Sequence, residues 1–250
     1  MNKQRYALIT GANGGIGVAL CSAYTDAGYT VIATDMQEHP VPGLRMNCYL
    51  QLNLIEFVED SAYARQVFEK LDNIIDSSGL ACLVNNAAIQ ILGGVESLTR
   101  EDFNTSLQTN TLAPFFLSQA LLKHLEKAKG SIVNISSIHA KLTKRNFVAY
   151  ATTKAALSGM TKAMAVDIGN KVRVNAIEPA AVDTPMLKAG FLADENKIEA
   201  LRKMHPTGNI AESHEIASVA IMLTDNTLPF LNGAIIEING GINSCLKDVD

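Results

Sequence analysis

Tryptophan is absent from the 250 residues, charged side chains make up only 18%, and no run approaches the roughly eighteen consecutive apolar residues of a membrane-spanning helix. No part of the chain therefore reads as a helical membrane span, and no membrane partner is expected. The four cysteines, Cys21, Cys48, Cys82 and Cys245, lie far apart with no Cys-x-x-Cys pair and no neighbouring histidine cluster. That pattern speaks against a zinc site and reads as reduced, mostly buried thiols. A net charge of -4 and an isoelectric point near 5.8 supply no basic field for a nucleic-acid backbone. The opening Met1-Asn-Lys-Gln-Arg5 runs into an apolar stretch without the basic, apolar and small regions of a signal peptide, so a cytoplasmic location is expected.

Hydrophobic residues reach 48%, enough to bury a sizeable core in one α/β domain spanning residues 1–250. Short apolar runs alternate with longer amphipathic ones, the rhythm of repeated βα units. Strands are predicted over 6–10, 30–34, 49–53, 81–85, 131–136, 172–177 and 234–238. Most are too continuously apolar to have one face in water. Helices are predicted over 16–27, 56–77, 100–107, 113–127, 150–168 and 213–224, covering both faces of a seven-stranded, mostly parallel sheet through right-handed crossovers. A doubly wound Rossmann arrangement follows. The stretch 185–206 joins the sixth strand to the last helix over more than twenty residues, and its mix of Met186, Leu187, Phe191 and Leu192 with charged residues predicts a partly helical substrate flap.

The run Thr10-Gly-Ala-Asn-Gly-Gly-Ile-Gly17 follows a predicted strand and opens a predicted helix. Glycines at 11, 15 and 17 permit a tight turn, close approach of backbone to a pyrophosphate and close helix–sheet packing. Asp35 closes the second strand eighteen residues after Gly17, where an acid accepts hydrogen bonds from ribose hydroxyls. A carboxylate there repels a 2'-phosphate, and neither Met36 nor Gln37 offers a cation, so NAD is expected over NADP. Tyr150 and Lys154 share one helix face, an arrangement that would let the ammonium favour the ionised phenol for acid–base work. Composition alone yields about a third of such a pair by chance, so its meaning depends on its partners.

Taken in order, Thr10-Gly-x-x-x-Gly-x-Gly17, Asn85-Asn-Ala-Ala88, Asn110, Ser137 and Tyr150-x-x-x-Lys154 resemble the motifs of the short-chain dehydrogenase/reductase family. The resemblance continues through Arg173–Ile177, Pro179–Thr184 and Asn232–Gly241, and so covers nearly the whole chain. It implies hydride transfer between a secondary alcohol or ketone and NAD(H). Tyr150 would be the acid/base, Lys154 would lower the phenol pKa and bind the nicotinamide ribose, and Ser137 would hold the substrate oxygen. Ser136 is the competing serine; thirteen residues to the tyrosine favours Ser137. Asn110 would anchor a water-linked proton relay, and Asn85 would tie strands together near the adenosine. Cofactor contacts are implied for Gly11, Asn13, Gly14, Gly15, Ile16, Gly17, Asp35, Asn53, Leu54, Asn86, Ala87, Pro179, Val182 and Thr184, as well as Tyr150 and Lys154.

Three positions depart from the family pattern: Asn53 stands where an aspartate commonly faces adenine, Ala180 where glycine follows Pro179, and Asn239 where an aspartate precedes the last two glycines. His139, Phe147 and Met186 are the candidate substrate contacts. Lys141, Lys144 and Arg145 lie between the serine and tyrosine and read as solvated loop residues. No metal site is expected. The resemblance implies a homotetramer or homodimer packed through the helices at 113–127 and 150–168. Two other readings stand beside the leading one: an NADPH-dependent biosynthetic carbonyl reductase, and a dinucleotide-binding regulator or scaffold without turnover.

Overall fold

Strand β1 (Tyr6–Thr10) is buried along its whole length, as an uninterrupted apolar strand covered on both faces must be. Its side chains alternate between two cores, Tyr6 and Leu8 entering one and Ala7 and Ile9 the other. Leu8 and Ile9 are fully buried and contribute roughly 1.5–3 kcal/mol apiece. In the computed structural model, which describes residues 4–192 and 194–246, β1 is an inner strand of a seven-stranded sheet. The others are β2 (Thr30–Asp35), β3 (Cys48–Gln51), β4 (Leu80–Asn85), β5 (Ser131–Ile135), β6 (Arg173–Pro179) and β7 (Ile235–Ile238). Their order is β3-β2-β1-β4-β5-β6-β7 and every pairing is parallel, where the sequence reading was a mostly parallel sheet.

The helices are α1 (Gly15–Asp26), α2 (Leu54–Glu59), α3 (Ser61–Ile74), α4 (Arg100–Leu107), α5 (Ala113–Ala120), α6 (Leu122–Ala128), α7 (Val148–Ile168), α8 (Pro185–Gly190), α9 (Glu195–Met204) and α10 (Ser213–Thr224). Leu20 and Tyr24 of α1 and Ala217 and Leu223 of α10 fill the core on the Ile9 face. Leu71 of α3, Leu117 of α5 and Ala165 of α7 fill the one on the Leu8 face. Successive strands run outward from β1 to β3, then restart at β4 on its other side. The loops leaving β1 and β4 therefore diverge, and a crevice opens at their carboxyl ends.

Two predicted helices are broken. The stretch 56–77 is α2 and α3, because Asp60 takes an extended conformation and its side chain accepts from the Ala62 N–H, starting a new helix. The stretch 113–127 is α5 and α6, hinged at Leu121 (φ -94°, ψ 2°). Between α4 and α5 the chain widens into a π-helical turn, Gln108–Leu112. Pro114 lies four residues after Asn110 and has no N–H to give its carbonyl, so an ordinary helical ladder cannot continue there.

The predicted flap holds α8 and α9. Thr184 and Asp194 cap them, and Asp183 lies between Lys188 of α8 (2.9 Å) and Arg202 of α9 (3.7 Å). Cys21 and Cys82 are buried free thiols, Cys48 is partly buried and Cys245 is exposed. Among the described residues, no helix is long and apolar enough to cross a membrane, and no three His, Cys, Asp or Glu side chains are arranged to hold a metal ion.

Candidate active site

The β1–α1 turn is built so that side chains cannot occupy it. Gly11 has φ +64°, and a Cβ on Gly17 would lie 2.1 Å from the Gly11 carbonyl oxygen. Gly14 begins α1 without a side-chain cap, and the first turn carries no acid. Its N–H groups and the positive end of the helix dipole thus face the crevice. Asn86 fastens β4 to this turn by donating to the Thr10 and Gly11 carbonyls, while Thr10 Oγ1 accepts from the Asn86 and Ala87 N–H groups. Asn85 donates to Asn134 and so ties β4 to β5, as the resemblance implied.

Asp35 sits at the end of β2, its two oxygens accepting from the Asn13 N–H (3.0 Å) and the Gln37 N–H (3.3 Å). Two expected cofactor contacts have their polar groups engaged elsewhere. The Asn13 side chain donates to Gln37 Oε1, the His39 carbonyl and Tyr49, and accepts from the Val41 N–H, so it organises the loop after β2. Asn53 caps α2 through its Oδ1, which leaves its amide nitrogen as the group to meet a ligand.

Beyond β5 the two serines separate. Ser136 donates to the Lys154 carbonyl and shares a proton with Ser158, so it is tied into the protein. Both serines line the crevice, and it is the Ser137 hydroxyl that hydrogen-bonds the Tyr150 phenol. Helix α7 carries Tyr150 and Lys154 on one buried face. Lys154 Nζ donates to the Ile135 carbonyl at 2.8 Å and lies 5.7 Å from the centre of the tyrosine ring.

The electrostatics differ from the sequence expectation. Burial pushes the Tyr150 phenol up to about 12, with the Ser137 hydroxyl pulling the other way. Burial also pulls Lys154 down to about 7. Desolvation penalises both charged forms, and the ammonium is turned toward a backbone carbonyl, so the expected lowering of the phenol by the lysine is not what the packing produces.

Asn110 lies in the π turn and does not line the crevice. Its amide accepts from the Ile89 N–H and donates to the Ile89 carbonyl and to Thr153. What it can offer a relay is its carbonyl, which Pro114 leaves without the usual donor. Ala180 stays outside the left-handed region and donates to the Ile238 carbonyl, so the missing glycine needs no special backbone there. Asn239 holds the turn after β7 by bonding Glu237 and the Gly241 N–H, a structural role.

The remaining predicted residues meet in one crevice of about 780 Å³, lined from Gly11 and Asp35 at one end through Pro179, Val182 and Thr184 to Met186 at the other. His139 stacks on Phe147 at 4.4 Å and meets the Tyr150 ring edge-on at 5.7 Å. Burial and the nearby Lys144 push His139 down to about 4, so it is a neutral ring at working pH. Lys144 is exposed, as a solvated loop residue should be, and stands where the loop lines the mouth of the crevice. Lys141 instead pairs with Glu178 and Glu237. Other residues that line the crevice include Thr10 of the glycine turn and Phe191 of the flap, which the sequence reading named without assigning a contact, and His205, which it missed. The last is 4% exposed, with Nδ1 2.9 Å from the Leu201 carbonyl and no partner for Nε2. Its only sequence signal is a histidine at the end of the flap.

Residues 11–243 match the family model described as enoyl-(acyl carrier protein) reductase. A D-threitol dehydrogenase of Mycolicibacterium smegmatis is 33% identical over 95% of this chain and 92% of its own. The chain belongs to the short-chain dehydrogenase/reductase family. Among solved members, the ligand-free aldohexose dehydrogenase of Thermoplasma acidophilum superimposes with a TM-score of 0.90 at 27% identity, covering 99% of this chain and 97% of that one. A gluconate 5-dehydrogenase of Burkholderia cenocepacia, in complex with NADP and tartrate, gives 0.86 at 25% identity over 97% and 96%. In this family member the crevice lies at the carboxyl ends of the strands, where the sheet order reverses.

Proposed function

We propose that the protein is an NAD(H)-dependent oxidoreductase that interconverts a secondary alcohol and a ketone on a small polyhydroxylated substrate. The observation that carries this is the meeting of Ser137, Tyr150 and Lys154 at the point where the dinucleotide half of the crevice joins the substrate half. The dinucleotide half fits its ligand. A Cβ on Gly15 would strike Thr184 at 2.9 Å, so the turn and the β6 loop form a narrow slot that takes a diphosphate against bare N–H groups. Asp35, with no cation on Met36 or Gln37 beside it, accepts from a ribose diol and repels a 2'-phosphate. Asn53 and Leu54 would meet the adenine, and Val182 and Thr184 the nicotinamide end. The D-threitol and aldohexose dehydrogenases among the relatives support a polyol or sugar as the substrate.

The bound dinucleotide supplies or accepts the hydride. Ser137 would hold the substrate oxygen beside the phenol of Tyr150. A phenol pushed up to about 12 keeps its proton at working pH, so Tyr150 is set to donate to the carbonyl oxygen during reduction. In oxidation the same oxygen, as phenolate, takes the proton back. Lys154 would bond the nicotinamide ribose. The Asn110 carbonyl, which Pro114 leaves without a donor, would anchor a water that links the lysine to solvent. Residues 185–206 act as a flap that excludes water from the substrate end. Exposed Phe115 and Phe116 on α5 and Val166 on α7 support association of copies through these helices. Tyr150→Phe tests the assignment, because it removes only the phenolic oxygen. Turnover with NADH on a panel of ketoses should fall by about two to four orders of magnitude while NADH still binds. Near-full activity, or tighter binding of NADPH than NADH by the unaltered protein, would overturn the corresponding part of the reading.

A further inference from the structure

The substrate end of the crevice contains an ammonium without a counter-ion. Lys144 Nζ lies 4.7 Å from the centre of the Phe147 ring and 5.2 Å from that of Phe191, which joins the loop before α7 to the flap. Its placement is fixed locally. Asn146 takes a left-handed conformation (φ 66°), its carbonyl accepts from the Gly93 N–H at 2.8 Å, and Phe147 is thereby turned inward. Three other cations of this region have acidic partners: Lys141 has Glu178 and Glu237, Lys188 has Asp183, and Arg202 has Asp183 and Glu199, while Arg145 is exposed and does not line the crevice. Among the described residues, no carboxylate lies within ion-pair distance of Lys144, and the only acid lining the crevice is Asp35 at its far end. Two aromatic faces attract a cation weakly, by roughly 0.5–1 kcal/mol each at an exposed site, and cannot replace a counter-ion. Partial burial pulls the Lys144 pKa down, the direction that a bound anion reverses.

We propose that Lys144 binds a carboxylate of the substrate, so that the preferred substrates are hydroxy or oxo acids whose acid group is set several carbons from the reacting carbinol. The spacing comes from Phe147, whose ring centre lies 6.1 Å from that of Tyr150 and 4.7 Å from Lys144 Nζ, so that a substrate bridging phenol and ammonium lies along this ring. An acid group several carbons from the reacting carbon suits that span better than one on the adjacent carbon. A charge-assisted hydrogen bond from Lys144 holds the acid, and the flap carrying Phe191 closes over it. Lys144 is thus a specificity-determining residue. The inference rests on the alcohol/ketone reading of the Tyr150 site.

The test compares NADH-dependent reduction of 5-keto-D-gluconate, 2-keto-D-gluconate and D-fructose by the full-length protein and by Lys144→Met and Lys144→Arg. The unaltered protein is expected to prefer the 5-keto acid at least tenfold in kcat/KM over both others, with that preference falling as salt is raised. Lys144→Met, which keeps the stem and loses the charge, should raise the KM for the 5-keto acid at least tenfold with a smaller change in kcat, and Lys144→Arg should restore most of it. Binding of D-gluconate against D-glucitol to the Tyr150→Phe protein with NADH, read by calorimetry, should show the same charge dependence without turnover. Equal or better use of D-fructose or 2-keto-D-gluconate, no use of the 5-keto acid, or an unchanged KM in Lys144→Met overturns the proposal. If Tyr150→Phe abolishes turnover while Lys144→Met handles the acid normally, only this inference fails. If Tyr150→Phe stays active while the Lys144 effect appears, the catalytic reading fails instead.

Discussion

Replacing Lys154 by methionine should make the protein more stable below pH 7, and the gain should shrink as the pH rises. The lysine is 2% exposed, and its ammonium has one hydrogen bond, to the Ile135 carbonyl. Burial lowers its pKa from 10.5 to about 7. At about 1.4 kcal/mol per pKa unit, holding the charged form inside costs roughly 4–5 kcal/mol below pH 7, where folded and unfolded chains are both protonated. Between about 7 and 10.5 the unfolded chain binds the proton and the folded chain has lost it. Stability of the unaltered protein therefore rises with pH through that window as this penalty is relieved. Methionine has similar length and no charge, but it strands the Ile135 carbonyl at a cost of roughly 1–3 kcal/mol. The net gain is about 1–4 kcal/mol at pH 6, or a Tm rise on the order of 2–16 °C for a chain of this size. By pH 9 the difference should vanish or reverse. Thermal melts of both proteins at pH 6, 7, 8 and 9, followed by circular dichroism, measure it directly. A Lys154→Met protein that melts lower at pH 6, or a Tm difference that ignores pH, would refute the reasoning. The same variant should lose turnover, so stability and activity would move in opposite directions at one atom.

Glycine replacements should change sign with position. Gly17→Ala drives a Cβ to 2.1 Å from the Gly11 carbonyl oxygen and 2.8 Å from Ala12 Cα, so NADH binding by calorimetry should weaken at least tenfold and Tm should drop. Gly159→Ala, in the exposed interior of α7 with nothing within 4 Å, should stabilise by about 0.5–1 kcal/mol. Asn110→Ala removes the three hydrogen bonds to Ile89 and Thr153 from a fully buried site. A loss of about 3 kcal/mol is expected, read as a Tm lower by on the order of 10 °C; an unchanged melt would mean that those bonds contribute nothing net.

Local patterning made most of the architecture legible. β1 and β4–β6 are apolar runs that only a covered sheet can hold; β1 has the predicted bounds, and no end of the other three differs by more than two residues. The glycine turn was readable for a related reason: at Gly11 and Gly17 the backbone itself leaves no room for another residue. Helix breaks were not readable in the same way. A hydrophobic stripe passes through Asp60 and Leu121 without announcing the change of axis, which depends on what the next helix must pack against. Pro114 did carry a local signal for the π turn at Asn110, since its missing N–H falls four residues after that carbonyl.

The sequence by itself determined the fold class, the glycine turn after β1, the acid at the end of β2 and the shared helix face of Tyr150 and Lys154, because each rests on spacing within one element or on a residue type that nothing else can replace. Tertiary structure decided the charge states and the company each side chain keeps. Burial opposes ionisation of Tyr150 and Lys154 alike, and desolvation depends on atoms drawn from several elements, which no i, i+4 spacing records. Ser136 and Ser137 are adjacent in sequence, yet packing commits the first hydroxyl to the Lys154 carbonyl and Ser158 and brings the second to the Tyr150 phenol. Lys144 is an exposed cation in the structure as in the sequence reading, but only the fold sets it at the crevice mouth beside Phe147 and Phe191 and away from any acid, because a counter-ion is a property of space and not of chain order.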